Sequence, residues 1–460
     1  MSKKVACAAT MVVWFLCIAE SAFGRTYYID FDRGADGNHG TTRKSAWKRC
    51  PGMVGFAGRY RHTPGDRFVF KGGCTWPASV LPLTIQESGV SGAVDRFGTD
   101  HAWFTGATWS RPVLAGEHSQ KQLLCANAKS FFVVDDIAFV DFGSAGLWNG
   151  GKAIDICACS HYTLTRCNVA PQAWIGMYLH SFSGASEEDI LIDGNDISAS
   201  GQAIVVAVEA PGTVMRRVTI SGNVIHDLSS QIVGATHGDG IHTWNSVQND
   251  RSQFICDLTI KDNRFYGDFS CGDGGNASMT ALIYLTDPGR RAMIYGNELT
   301  YSATTRFASL IWVRFFDSVA VFNNTLVLNG KKGGIGIIAG QGDPGKRVWI
   351  KNNIIYGAKY CYYIYEDARP TTVIDNNDCL STGPAMAFWG AMGMTWYEWR
   401  RAGNDRKGIR ADPEFHGPDD FRLRASSPCL NRAERLEDVP FLTPEAVNKW
   451  RHIGAREQSE

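Results

Sequence analysis

Seven times between residues 190 and 380 the sequence returns to one short pattern: an aliphatic residue, two variable positions, then Asn and another apolar residue. It reads Ile192-Asp193-Gly194-Asn195-Asp196-Ile197, Ile220-Ser221-Gly222-Asn223-Val224-Ile225, Ile260-Lys261-Asp262-Asn263-Arg264-Phe265 and Ile294-Tyr295-Gly296-Asn297-Glu298-Leu299. Val321-Phe322-Asn323-Asn324, Ile350-Lys351-Asn352-Asn353 and Ile374-Asp375-Asn376-Asn377 close the series, and Thr165-Arg166-Cys167-Asn168 reads as a weaker first copy. From Asn168 the Asn-to-Asn steps are 27, 28, 40, 34, 27, 29 and 24 residues. A period in this range is the signature of a solenoid. Between residues 120 and 380 short β-branched runs alternate with Gly, Asn and Asp, and no long 3.6-residue apolar period appears, so each unit holds two or three strands. The Asn suits such a stack in two ways: it tolerates left-handed backbone at a turn, and its amide can bond to the equivalent Asn one coil away. A β-sandwich is the competing all-β arrangement, but its strands carry no fixed long period.

The repeat changes what length and composition mean. A chain of 460 residues would ordinarily suggest several domains, whereas a solenoid uses that length as one unit. The 49 glycines follow from a turn at every corner. Hydrophobic residues at 44% and charged residues at 20% exclude a disordered chain and a polytopic membrane protein. Basic and acidic groups balance at 46 each, which removes the electrostatic case for a nucleic-acid binder and weighs against a strongly polyanionic substrate.

The start of the chain reads as a secretory signal peptide: Lys3 and Lys4, an apolar run over residues 5–19, then Ser21-Ala22-Phe23-Gly24 with cleavage after Gly24. About 15 apolar residues fall short of the ~20 that span a bilayer. Export is expected, with no membrane association once the signal is gone. Cleavage removes Lys3, Lys4 and Glu20, moving the formal charge from 0 to −1, and with Cys7 and Cys17 gone 11 of the 13 cysteines remain. Export permits disulfides, and Cys50 with Cys74 and Cys256 with Cys271 are the pairs to test first. Most of the cysteines read as small buried hydrophobes, and Cys157-Ala158-Cys159 alternates as in a strand.

With these repeats the chain resembles the right-handed parallel β-helix proteins of the pectate-lyase-like superfamily. Tyr27-Tyr28-Ile29-Asp30, Asp36-Gly37-Asn38, Ala46-Trp47-Lys48, Pro64-Gly65-Asp66 and residues 68–72 look like the opening segment of secreted members. Ala411-Asp412-Pro413-Glu414-Phe415, Phe421-Arg422-Leu423, Ser427-Pro428-Cys429 and His452-Ile453-Gly454-Ala455 look like the segment that closes many of them. The resemblance implies an all-β, right-handed parallel β-helix with a C-terminal cap. It divides the chain into a signal (1–24), an N-terminal segment with the first coils (25–120), the β-helix (121–380) and a capping segment (381–460). Trp389, Trp396, Tyr397, Trp399, Arg400 and Arg401 cluster in the last of these, where residues 395–402 suit one short helix. Covering the open end of the solenoid is the first reading of that cluster, and a sugar-stacking platform is the second.

A second strand lies between successive Asn turns, and the repeat stacks these strands. With Leu179, Val206 and Thr243 facing inward, alternation turns Tyr178, His180, Glu209, His242 and Trp244 outward, and the next coils add Tyr284, Trp312 and Arg314. A one-residue slip would reverse any row. Aromatic rings that pack on sugar faces, set among groups that bind hydroxyls and carboxylates, describe a polysaccharide groove, while an exposed sheet of ordinary strand formers is the plainer alternative. Tyr178, His180, Trp244 and Trp312 are the candidate substrate contacts.

The densest cluster is His237-Gly238-Asp239-Gly240-Ile241-His242, where the glycines are expected to turn the backbone around Asp239. A carboxylate between two imidazoles suits acid–base work, and an Asp that merely caps a turn is the alternative. Asp239-Gly240-Ile241 resembles the Asp-Gly-Ile stretch of polygalacturonase-like β-helices, but the paired Asp-Asp and the Gly-His-Gly that accompany it there are absent. Two mechanisms follow. In a lyase, His242 is the base, Arg314 neutralises the uronate carboxylate and Tyr284 donates a proton. In a hydrolase, Asp239 and Glu209 are acid and base, at about 5–5.5 Å for retention or 6.5–9.5 Å for inversion. The lyase reading stands slightly ahead, and a non-catalytic polysaccharide-binding or adhesion protein using the same groove is the third.

Asp36-Gly37-Asn38 and Asp273-Gly274-Gly275-Asn276 offer oxygen ligands of the kind calcium uses, without the full ligand count, and read first as Asx turns. No metal site is assigned, and calcium is the one cofactor left open. Gly274-Gly275 and Gly333-Gly334 are turns, since no phosphate-loop Lys follows them. The expected partner is an extracellular polysaccharide, met by a monomer.

Overall fold

The computed structural model describes residues 24–143, 151–182, 184, 186–228, 238–245, 252, 254–269, 279–286, 288–301, 307–328, 334–342 and 346–455. Residues 1–23 of the signal segment, His237, Cys271, residues 273–276 and Gly333 lie outside them. Three long sheets run the length of the chain, with 12, 12 and 11 strands, and neighbours within each come from successive coils. One coil shows the path. Ser186–Asp193 belongs to the first sheet, Asp196–Ile197 to the second and Ser200–Val208 to the third, after which Val214–Ser221 pairs in parallel with Ser186–Asp193. This is a right-handed parallel β-helix. Its core is built from stacked inward residues, such as Ile204, Ile241, Ile283 and Ile311 in one registered file, all with no exposure. Each side chain so buried contributes roughly 2 kcal/mol.

The Asn repeat is a continuous hydrogen-bonded ladder inside the corner between the first and second sheets. Nδ2 of Asn195 donates to Oδ1 of Asn223 at 2.9 Å, and the same bond links Asn223, Asn263, Asn297, Asn324, Asn353 and Asn377 in turn. Each acceptor oxygen also takes the backbone N–H of the ladder residue before it, and the second hydrogen of Nδ2 goes to a carbonyl, as in Asn223 to Ile192 O at 2.9 Å. A side-chain amide offers two donors and an acceptor oxygen together, so the ladder amides leave no buried polar atom over.

Two expectations about this turn need correction. The left-handed residue is the one before the ladder Asn: Gly194, Gly222, Asp262, Gly296, Asn323, Asn352 and Asn376 have φ between 50° and 67°. That explains why the preceding position holds Gly, Asp or Asn. The first copy is also displaced. Asn168 pairs with Asp196, so Cys167 occupies the ladder position, and its backbone N–H donates to Asn195 Oδ1 at 2.9 Å.

At the C-terminal end the ladder stops on a carboxylate. Asp405 Oδ1 accepts from Asn377 Nδ2 at 2.8 Å and Oδ2 accepts from the Trp399 indole at 2.9 Å, a pair of donors that an Asn could not serve. Burial pushes the Asp405 carboxyl up to about 6, against the hydrogen bonds that favour its charge. Trp399 sits on the short helix Trp396–Arg401, which a Thr395/Glu398 capping box starts, and its fully buried ring stacks on Tyr362 at 5.3 Å. The cluster of aromatics there is thus a cap. Beyond it, Leu436, Val439, Ala446 and Trp450 pack with Ala320, Phe322 and Trp349 of the first sheet, and Lys351 pairs with Asp438 at 2.7 Å.

No disulfide forms among the described cysteines: Cys50 and Cys74 are each buried and free, as is Cys256. No helix among the described residues is long and apolar enough to cross a membrane.

Candidate functional site

The third sheet carries the sequence-derived candidates, and its register fixes their neighbours. Across the strands from Lys152–Cys157 onward, one outward file reads Asp155, Tyr178, Val205, His242, Tyr284, Trp312, Ile338, Tyr363 and Phe388. The next outward file holds Cys157, His180, Ala207 and Trp244. Leu179, Val206 and Thr243 face inward with no exposure, so the alternation runs as expected. Gly240 is not a turn residue. It lies within the strand Gly238–Asn245, next to a register shift at Gly238/Asp239, where a Cβ would meet Phe265 Cε1 at 2.5 Å and Leu282 O at 2.4 Å. The glycine therefore serves close packing inside the coil, and the Asp239 carboxylate stands beside His242.

Two clusters result. In the first, His180 lies between two carboxylates, with Nδ1 2.7 Å from Glu209 Oε2 and Nε2 2.6 Å from Asp155 Oδ1. Tyr178 stacks on His180 at 4.2 Å and donates its hydroxyl to Glu209 Oε1 at 2.5 Å, while Lys152 Nζ stands 3.6 Å from the centre of the Tyr178 ring. Gln122 donates to the other oxygen of Asp155 at 2.6 Å. Burial opposes a charge on His180, but hydrogen bonds to Asp155, Cys157 and Glu209 outweigh it and hold the imidazole up to about 10. The same contacts, again against burial, keep Asp155 and Glu209 below the usual carboxylate range. Burial, then Glu209, pushes the Tyr178 hydroxyl well up. Beneath the cluster, on the first sheet, burial raises the inward Glu187 to about 7.

In the second cluster Asp239, fully buried, accepts from Gln202 Nε2 and from Ala281 N, both at 3.2 Å, and its Oδ2 lies 3.5 Å from His242 Nδ1. His242 Nε2 meets Thr286 Oγ1 at 3.2 Å, and since that hydroxyl donates to Thr243 O, Nε2 is the donor. His242 stacks on Tyr284 at 5.3 Å and Tyr284 on Trp312 at 4.9 Å. Trp244, 36% exposed, faces out beside them.

The structure separates several residues that the sequence grouped. Asp239 pairs with Gln202, seven residues ahead of Glu209, so the two backbone positions stand about 23 Å apart along the strand direction at ~3.3 Å per residue. Asp239 turns to His242 and Glu209 to Tyr178 and His180, so the two carboxylates serve separate clusters. Arg314 lies two strands beyond His242, about 10 Å at ~4.8 Å per strand, and its Nε is held by Gln341 O at 2.7 Å. It does not share a reaction centre with His242. Nor is the central face an open groove. Tyr178, His180, His242 and Tyr284 point away from the coil, yet each is at most 5% exposed. Sequence reasoning missed Lys152, Asp155, Tyr363 and Phe388. Asp155, flanked by Ile154 and Ile156, would have emerged from extending the stacked file one coil toward the N-terminus.

The Asp36 turn is held by protein donors, and the Asp273 turn lies outside the described residues. Asp36 accepts from the backbone of Lys48 and Arg49 and pairs with the Arg49 side chain, and Asn38 is bonded to Ala46 O. Among the described residues two groups gather three possible metal donors, Asp30/Asp32/Cys74 and His161/Glu188/Asp189. Each already holds a protein cation, Lys71 in the first and Arg217 in the second.

Compared with solved structures, the chain is similar to a pectate lyase, Pel9A, with 14% identity over 95% of this chain and 97% of that chain and a TM-score of 0.51. The likeness is one of fold. A rhamnogalacturonan lyase (12% identity, 77% of this chain and 87% of that chain, TM-score 0.43) and a GH136 lacto-N-biosidase from Eubacterium ramulus (11%, 81% and 68%, 0.39) are more distant. No protein-family model matches the chain, and no curated protein does.

Proposed function

We propose that the chain is an exported carbohydrate-active protein that binds an extracellular polysaccharide on the exposed or partly exposed Lys152, Trp244, Trp312, Tyr363 and Phe388 of the third sheet's outer face, above the buried rings between them, and cleaves it by β-elimination at a uronate. The observation that carries this reading is the cluster of Lys152, Tyr178, His180, Asp155 and Glu209, at one end of a file of stacked aromatic rings. Lys152 faces the uronate carboxylate. Tyr178 takes the proton from the carbon beside that carboxylate as its own hydroxyl proton passes to Glu209. The electron pair left on carbon forms the new double bond, the glycosidic carbon–oxygen bond breaks, and the proton returns through Tyr178 to the leaving oxygen. Because Tyr178 resists ionisation, the transfer to Glu209 accompanies proton removal instead of preceding it. His180, charged and clamped, fixes Glu209.

The test is incubation with a panel of uronate-containing and neutral polysaccharides, following ultraviolet absorbance of unsaturated ends, new reducing ends and binding. Unsaturated product from a uronate polymer, lost in Tyr178→Phe while binding persists, is the expected result. New reducing ends without absorbance would replace elimination by hydrolysis. A second reading, a non-catalytic polysaccharide binder, has its own support: both ring nitrogens of His180 are engaged by carboxylates, which leaves that imidazole no lone pair to act as a base. Binding with neither product would select it.

A further inference from the structure

Resting on that functional reading, the geometry points to a second, distal subsite that recognises a uronate carboxylate, built by Arg314, Tyr365 and the ring faces of Tyr363 and Phe388. The aromatic file does not end at Trp312. After Ile338 it resumes with Tyr363, whose ring stacks on Phe388 at 5.2 Å and 19° and contacts Tyr365 at 4.7 Å. Tyr363, Tyr365 and Phe388 are all partly exposed, unlike His242 and Tyr284.

Beside this platform stands a guanidinium with capacity to spare. Arg314 is half-buried, its Nε donates to Gln341 O at 2.7 Å, and its plane lies 4.8 Å from the Phe315 ring. Among the described residues its two terminal nitrogens make no hydrogen bond or ion pair. The anchor is itself rigid, because Asp367 accepts from Gln341 N at 3.1 Å and Gly342 N at 2.9 Å. The backbone hydrogen bonds Gly340 N to Val313 O and Tyr365 N to Ala339 O place Arg314, Gly340 and Tyr365 in one file. Gly340 has φ +99°, and a Cβ there would strike Tyr365 Cβ at 2.8 Å and Asp367 Oδ1 at 2.7 Å. The bare glycine thus lets Tyr365 close in, near enough for the Arg314 charge to act on its hydroxyl.

A fixed guanidinium fork with two free donors, a neighbouring phenol and stacked ring faces is the chemistry that binds the carboxylate and apolar face of a hexuronate ring. Four strand steps, about 19 Å, separate Arg314 from Tyr178, so the distal subsite and the reaction centre are joined only by a chain of several sugars. The substrate class that follows is a polymer with uronates at spaced positions, bound along the file of strands.

The experiment measures binding of the full chain and of Arg314→Gln to a polyuronate, a uronate disaccharide and a neutral polysaccharide, with thermal melting to verify folding. The expected result is about tenfold weaker polyuronate binding, with disaccharide and neutral-polymer binding unchanged. Arg314→Lys keeps the charge but not the fork, and should lose part of that affinity. Polyuronate binding that is the same in all three proteins overturns the subsite alone. If the unaltered chain binds no uronate polymer, the proposed function falls and the subsite with it.

Discussion

The Asn ladder and the outer file of the third sheet are built by the same device, one side chain per coil held in register, and they differ in what fills it. Along the ladder every position from Asn195 to Asn377 is the same residue, and each amide is saturated by its neighbours. Along the file the residue changes at each step, from Asp155 through Tyr178, Val205 and His242 to Tyr284 and Trp312. Identical stacked residues satisfy one another and define structure, whereas a file that changes residue at each coil leaves groups whose chemistry is not exhausted by the fold. Stability should accordingly reside in the ladder and function in the file.

The sharpest way to break that contrast is Asn263→Ala. It orphans the backbone N–H and one amide hydrogen of Asn223 and takes one donor each from Ile220 O and Asn297 Oδ1, all buried. At 1–3 kcal/mol per unsatisfied group, the loss is about 4 kcal/mol, read from denaturant unfolding. Polysaccharide binding by the molecules still folded should not change. A loss under about 1 kcal/mol would show that the ladder is not the stabilising element.

The opposite signature is expected at Tyr178→Phe. Turnover on a uronate polymer should fall about 100-fold, in the range of a lost acid–base group, while unfolding shows a loss of only about 1 kcal/mol for the one donor taken from Glu209 Oε1. Equal losses of stability and turnover would make Tyr178 part of the scaffold.

A third test uses pH. The folded protein holds His180 up to about 10, against an ordinary value of 6.5. A group raised on folding stabilises fully below its unfolded value and loses that contribution as pH climbs to the folded one. The cluster should therefore weaken the fold between about pH 6.5 and 10, and Glu209→Gln, which removes one of the two carboxylates on the ring, should pull the upper edge of that window down. A stability profile that is flat across this range, or that Glu209→Gln leaves unmoved, contradicts the clamped imidazolium.

The sequence carried the fold further than the site, for a physical reason. Repetition at 24 to 40 residues made the ladder visible, and alternation gave the outward face of Tyr178, His180 and Trp244 correctly. Proximity along the chain misled wherever neighbours come from different coils. Asp239 and Glu209 looked like a pair and lie far apart on adjacent strands, while Asp155, 54 residues before Glu209, meets it across one imidazole ring. The second error came from burial. A carboxylate or imidazole on an outward file was read as open to solvent, but stacked rings and paired charges cover one another, leaving His180 and His242 almost inaccessible.

The finest distinction separates two asparagines of the same pattern. Asn195 comes directly after the left-handed Gly194, whereas Asn168 comes two residues after the left-handed Arg166 and so sits one position past the ladder. It is partly exposed and makes one amide contact, to Asp196 Oδ1 at 3.3 Å, which water can replace. Asn195 is 1% exposed and bonds Asn223 and Leu164 O, each near 3 Å. Asn168→Ala should cost no more than about 0.5 kcal/mol, as surface changes do, whereas Asn195→Ala should approach the loss at Asn263. If the two alanine variants unfold at the same denaturant concentration, position in the repeat does not govern the Asn contribution, and the division between ladder and file loses its energetic basis.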